Sequence, residues 1–207
     1  MLAYMLNIHL NYLKTKTIMK NSIIALSMIT TIGLAITGCK KDDDLVDVPQ
    51  PVVNEPEIIT SMFLMLTDSA TSTPFDTVAF RDLDGDGANA PVQWDTLRLN
   101  ANTTYMMNVL LLNEIPTPAD TISNEVAEEA NDHQFFFNIA GVSLTHTYLD
   151  QDTNTPPLPL GLVNKIRTGA AGTGTFQVVL KHQPGIKDGQ QTTGDSDVDV
   201  TFQTIIQ

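Results

Sequence analysis

The sequence predicts an all-β fold, a two-layer β-sandwich with one short helix, spanning residues 57–207. Three observations carry this. Apolar and polar residues alternate at period two in about nine short runs, Gly, Asn, Asp and Pro punctuate the gaps, and only one stretch has helical spacing. Recurring βαβ units would instead need helices of comparable number between the strands.

The first run has Met62, Leu64 and Leu66 alternating with Ser61, Phe63 and Met65. Further runs cover 75–82, 92–99, 104–112, 134–140, 143–149, 161–167 and 175–182. The last, 197–206, puts Val198, Val200, Phe202, Thr204 and Ile206 on one face. The helical stretch is 121–131, where Ile122, Val126 and Ala130 recur every fourth residue. Asp120 or Thr121 can cap it, Glu125 suits its early turns, and Glu128 and Asp132 read as a solvated face. A length of roughly 150 residues suits one core rather than two domains.

Upstream, Lys20 opens a short basic start, residues 23–36 are mostly apolar, and the run closes on Ile36, Thr37, Gly38 and Cys39. A basic start, an apolar run and small residues before a cut make a secretory signal. The layout resembles a bacterial lipoprotein signal, with 36–39 as the lipobox. That resemblance implies that Cys39 is acylated and becomes the first mature residue. It explains why a secreted chain of 207 residues carries a single cysteine. The alternative is an uncleaved anchor, for which the apolar run is near the lower length limit. Residues 1–38 are therefore expected to be a signal peptide. Residues 1–18 form an upstream extension, either from a misassigned start or as a long n-region. Residues 39–56, with Pro49, Pro51 and Pro56, read as the lipidated N-terminus and an extended tether.

The net charge is −13, and beyond Cys39 the 8 Lys and Arg face all 24 acids, which leaves −16. Such a surface argues against nucleic-acid partners, whose phosphates need basic residues. The residues following Cys39, Lys40, Lys41 and then Asp42, Asp43 and Asp44, resemble the export signal of surface lipoproteins of Bacteroidota. By that resemblance the location is the outer membrane with the domain facing outward; the periplasmic face is the alternative.

Leu99, Thr103 and Tyr105 within LNANTTY are similar to the strand corner of fibronectin type III and other immunoglobulin-like domains. The resemblance implies an immunoglobulin-like β-sandwich, with Leu99 packed inward and the Tyr105 hydroxyl bonded back across the corner. Ala101 stands where the family usually has Pro. Residues 54–207 also resemble a group of small Bacteroidota lipoproteins without an established activity. The carriers are FRDLDGDG (80–87), LNANTTY (99–105), LLNE (111–114) and EVAEEANDHQFFF (125–137). Such proteins are sometimes labelled type 1 periplasmic binding fold, two α/β lobes that need about twice this length. The strand-rich pattern here does not suit that label.

Few residues point to chemistry. No GxSxG motif occurs, and His133, His146 and His182 lack the close spacing of zinc motifs. Each reads as a surface or satisfied strand histidine. The glycine-rich run 169–174 lies between strands and reads as a flexible hairpin, because a phosphate loop must open a helix. One loop has ligand-like spacing: Asp82, Asp84 and Asp86 stand at positions 1, 3 and 5, with Gly87 at position 6, which suits Ca²⁺. Gln93 replaces the bidentate Glu of an EF-hand, so oxygens from Asp95, Asp150, Asp152, Asp195 or Asp197 would have to complete a site. The competing reading is a bare Asp-Gly turn. No other cofactor and no catalytic residue is expected.

The resulting expectation is a membrane-anchored lipoprotein with a non-catalytic binding or structural role at the cell envelope. Its lipid inserts into the membrane, and its protein or glycan partner is unknown. Two alternatives stand beside it. One is an envelope hydrolase using paired carboxylates, marked by a buried acid with a raised pKa. The other is a carbohydrate- or protein-binding module presenting Trp94 with Phe63 or Phe136.

Overall fold

A computed structural model describes residues 57–85 and 88–207. Cys39, the signal peptide and the tether up to residue 56 lie outside the described residues, as do Asp86 and Gly87. Ten strands and one helix follow in the order β1 (Ser61–Asp68), β2 (Thr73–Arg81), β3 (Gln93–Trp94), β4 (Leu97–Leu99), β5 (Thr104–Leu112), α1 (Ile122–Glu128), β6 (His133–Ala140), β7 (Leu144–Tyr148), β8 (Val163–Thr168), β9 (Gly172–His182) and β10 (Asp195–Ile206). They form an all-β sandwich of two sheets. One sheet has the order β3-β2-β1-β5-β8-β7 and the other β4-β10-β9-β6. All pairings are antiparallel except β4 with β10.

The core comes from the inward rows of both sheets, including Met62, Leu64, Leu111 and Ile166 from one and Phe135, Phe176, Val178, Leu180 and Phe202 from the other. Each row follows from period-two alternation, and β5 shows it throughout its length as buried Tyr105, Met107, Val109 and Leu111. The row on β10 is the one read from sequence: Val200, Phe202, Thr204 and Ile206 are buried, and Val198 packs against them. Helix α1 buries Ile122 and Val126 in the same core. Among the described residues there is no two-lobed α/β arrangement. Among the described residues, no helix is long and apolar enough to cross a membrane.

The strand corner forms as the immunoglobulin-like resemblance implies. Leu99 and Tyr105 are buried, and the Asn100 N–H donates to the Tyr105 hydroxyl at 3.0 Å. Ala101 takes the Pro position without loss, its own N–H donating to the Gln207 carbonyl at 2.8 Å.

Two expectations need correction. The run 92–99 is not one strand: β3 belongs to the first sheet and β4 to the second. The switch sits at Asp95, whose N–H donates to the Ala79 carbonyl at 2.9 Å while its carboxylate accepts the Ala79 N–H at 2.9 Å. That exchange ends pairing with the first sheet and frees Leu97 and Leu99 to enter the core. The 169–174 run is likewise no hairpin, because β8 and β9 lie in different sheets. Gly169 and Gly174 serve close approach instead. A Cβ on Gly174 would stand 2.1 Å from the Ala140 carbonyl oxygen.

Candidate metal centre

The inward rows of β6 and β9 run from phenylalanines and aliphatics to a histidine each. His133, Phe135 and Phe137 share one face of β6, and His182 extends the Phe176, Val178, Leu180 row of β9. The register places His133 directly opposite His182, and their rings stack at 4.7 Å with an interplanar angle of 8°. Both are buried.

Strand β10 supplies the next group through a bulge. Its pairing with β9 shifts register between Ser196 and Val198, so Asp197 is the extra residue. A bulge re-aims a side chain that strict alternation would place elsewhere. Here it brings the Asp197 carboxylate, with a fully buried side chain, to 3.6 Å from His133 Nε2. Glu129 follows the last turn of α1, four residues before His133, and its Oε2 lies 3.9 Å from His133 Nδ1. Glu129, His133 and His182 each offer a ligand atom, all within 4.8 Å of one another.

Eight buried side-chain atoms of the described residues lack a hydrogen-bond partner, and five of them are here: Glu129 Oε2, His133 Nε2, His182 Nε2 and both Asp197 oxygens. Each such atom costs roughly 1–3 kcal/mol. The tautomer sharpens the point. His133 Nδ1 lies 3.3 Å from the Glu129 carbonyl oxygen, which can only accept, so Nδ1 carries the proton and Nε2 keeps its lone pair. Burial lowers the His133 pKa and favours the neutral ring. Two acceptors, Nε2 and the Asp197 carboxylate, therefore face each other.

Burial also pushes the Asp197 carboxyl up to about 6, which the nearby His182 offsets only in part. Beside it, Glu57 rises to about 7 through burial and then through Glu125, with which it shares a hydrogen bond. On α1 itself Glu128 is exposed, as its spacing suggested, and Asp132 just beyond the helix is half-buried. The loop after β9 braces the centre. The Gln183 N–H donates to the Asp132 carbonyl at 2.6 Å, and Lys187 Nζ reaches both the Ala130 carbonyl at 2.8 Å and Asp152 at 2.9 Å.

The loop expected to hold calcium has a different character. The Gly85 N–H donates to the Asp82 carbonyl at 3.1 Å, with Gly85 at φ +67°, so a tight turn forms. Asp84 Oδ2 accepts from the Asn89 backbone at 3.0 Å and from the Asn89 side chain, while Oδ1 is buried without a partner. A hydrogen bond with Asp82 lowers the Asp84 pKa. Asp86, the third residue of that set, lies outside the described residues. Three of the acids that were to complete the set are engaged elsewhere. Asp150 accepts from the Gly161, Leu162 and Val163 amides, Asp152 pairs with Lys187, and Asp197 faces His133.

Sequence spacing missed the histidine pair because strand register brings it together, far apart along the chain. His146 does match the expectation of a satisfied strand histidine: its Nε2 meets Asn164 Oδ1 at 2.8 Å. The aromatic platform does not assemble. Trp94 is exposed and stands opposite Phe80, Phe63 stands opposite Ala79 and so on the other face, and Phe136 is in the other sheet.

The fold and this centre define a class: an all-β sandwich with a buried histidine–carboxylate cluster at one end of its core. No family model, no curated protein and no solved structure matches the chain.

Proposed function

We propose that the chain is a lipid-anchored binding protein of the cell envelope. Its β-sandwich takes a ligand at the His133–His182–Asp197 end and performs no reaction on it. The observation that carries the binding role is a set of five buried polar atoms without a hydrogen-bond partner, on the neighbouring residues Glu129, His133, His182 and Asp197. Buried polar atoms are ordinarily satisfied, so a cluster of exceptions marks a place where a partner belongs. The anchor rests on Ile36, Thr37, Gly38 and Cys39 following the apolar run. More than one acyl chain on Cys39 gives stable attachment where a single chain does not. Outer-membrane location, with the domain facing outward, follows the Lys-Lys-Asp-Asp-Asp resemblance.

Mass spectrometry of the purified protein tests the anchor. The expected product begins at a lipid-modified Cys39, and Cys39→Ser releases the domain from the membrane or leaves it uncleaved. An intact peptide spanning residues 30–45 in the wild type would refute it.

A hydrolase with paired carboxylates has the Glu57–Glu125 pair and the raised Asp197 in its favour. The binding reading is preferred because the partnerless atoms include two imidazole nitrogens, which suit coordination. Weak calcium binding at Asp82, Asp84 and Asp86 is a second proposal, favoured by the partnerless Asp84 Oδ1. Its affinity is expected near 10⁻⁴ to 10⁻³ M, on the order found in extracellular modules. Millimolar Ca²⁺ should raise the melting temperature of the wild type and leave Asp84→Ala unmoved; equal curves with and without Ca²⁺ would make the loop a turn only.

A further inference from the structure

We propose that Glu129, His133, His182 and Asp197 form a binding site for one divalent transition ion of the zinc class. The proposal rests on the binding role of this end of the sandwich and names its ligand. Two imidazole nitrogens with carboxylate oxygens select zinc and its neighbours, whereas calcium and magnesium prefer oxygen alone.

The spacing agrees. Zinc bonds of about 2.0–2.1 Å hold neighbouring tetrahedral donors about 3.3 Å apart. His133 Nε2 and Asp197 Oδ2 stand at 3.6 Å, and the donors of Glu129, His133 and His182 lie within 4.8 Å. Contraction of these distances brings the donors of Glu129, His133 and His182 toward one ion, with the Asp197 carboxylate beside His133 Nε2. Glu129 is suited to close the set, because its side chain is 40% exposed and follows the end of α1, whereas the His133 and Asp197 side chains are fully buried.

The supporting shell is also that of a metal ligand. A coordinating histidine ordinarily donates its other ring N–H to a carbonyl or carboxylate, which fixes the tautomer. His133 Nδ1 does this toward the Glu129 carbonyl and leaves Nε2 as the donor atom to the ion. A cation between Nε2 and Asp197 turns two opposed acceptors into two ligands. Four protein donors fill a tetrahedral shell, and a full shell holds an ion rather than activating water on it.

The test uses the full-length chain purified in detergent and stripped with a chelator. It is titrated with Zn²⁺ by calorimetry and with Co²⁺ by visible absorption. One equivalent of Zn²⁺ should bind, and Co²⁺ should develop the intense bands of a tetrahedral site. His182→Gln should weaken binding by at least about 100-fold. Asp197→Asn, which keeps the side-chain shape, serves if circular dichroism shows His182→Gln unfolded, and it should weaken binding similarly. No stoichiometric binding by the wild type, or wild-type affinity in folded variants, would overturn the proposal. An acylated, membrane-held chain that binds no zinc overturns this inference and leaves the anchor standing. Zinc binding by a chain with unmodified Cys39 overturns the anchor alone.

Discussion

Asp197 concentrates the tension in this structure. Its carboxylate is buried beside a neutral imidazole, and burial holds its pKa near 6 against an ordinary 3.8. At neutral pH the native state therefore carries a charge it does not compensate, on the order of 3 kcal/mol of lost stability. Residues kept for binding commonly have this character. In metal-free protein at pH 7, Asp197→Asn should accordingly raise the melting temperature while it abolishes tight metal binding. Thermal unfolding followed by circular dichroism checks this. A clear fall in melting temperature would show that Asp197 serves packing rather than a ligand.

At the scale of elements, strands and helix were legible because their signals are local. The alternation in β5 and β10 and the four-residue spacing of Ile122 and Val126 appear in any short window. The corner was legible too, since Leu99 and Tyr105 are close in sequence. What could not be read was non-local. Whether Gln93–Trp94 and Leu97–Leu99 continue one strand depends on the Asp95–Ala79 exchange, and the histidine pair depends on the register of β6 against β9. The bulge that turns Asp197 inward leaves no mark in the alternation, because a charged residue at a strand start reads as an exposed one.

A further clasp at this scale joins β1, β2 and the end of β5. Glu114 accepts from Arg81 Nε at 2.9 Å and Nη2 at 2.7 Å, and from the Ser61 hydroxyl. Arg81 and then Ser61 hold the Glu114 carboxyl below its ordinary 4.5. A depressed carboxyl stabilises the fold above its unfolded pKa, and that contribution fades as pH falls toward the native value. Glu114→Gln should therefore destabilise the protein by about 1–2 kcal/mol at pH 7, given the partial exposure of the pair. Denaturant titrations should show the gap narrowing below about pH 4.5. A gap that is constant with pH would assign the effect to packing.

For the molecule as a whole, one core serves two purposes. Its apolar rows fix the sandwich, and the same rows end in the histidines that define the centre. The centre thus inherits the rigidity of paired strands, with Glu129 as the one ligand carried on a helix end. A site built on strands holds its donors more tightly than one built on loops. X-ray absorption at the zinc edge of the loaded full-length protein tests this account most directly. Two imidazole rings and carboxylate oxygens at about 2.0–2.1 Å are the expected shell. An all-oxygen shell without imidazole scattering would contradict it.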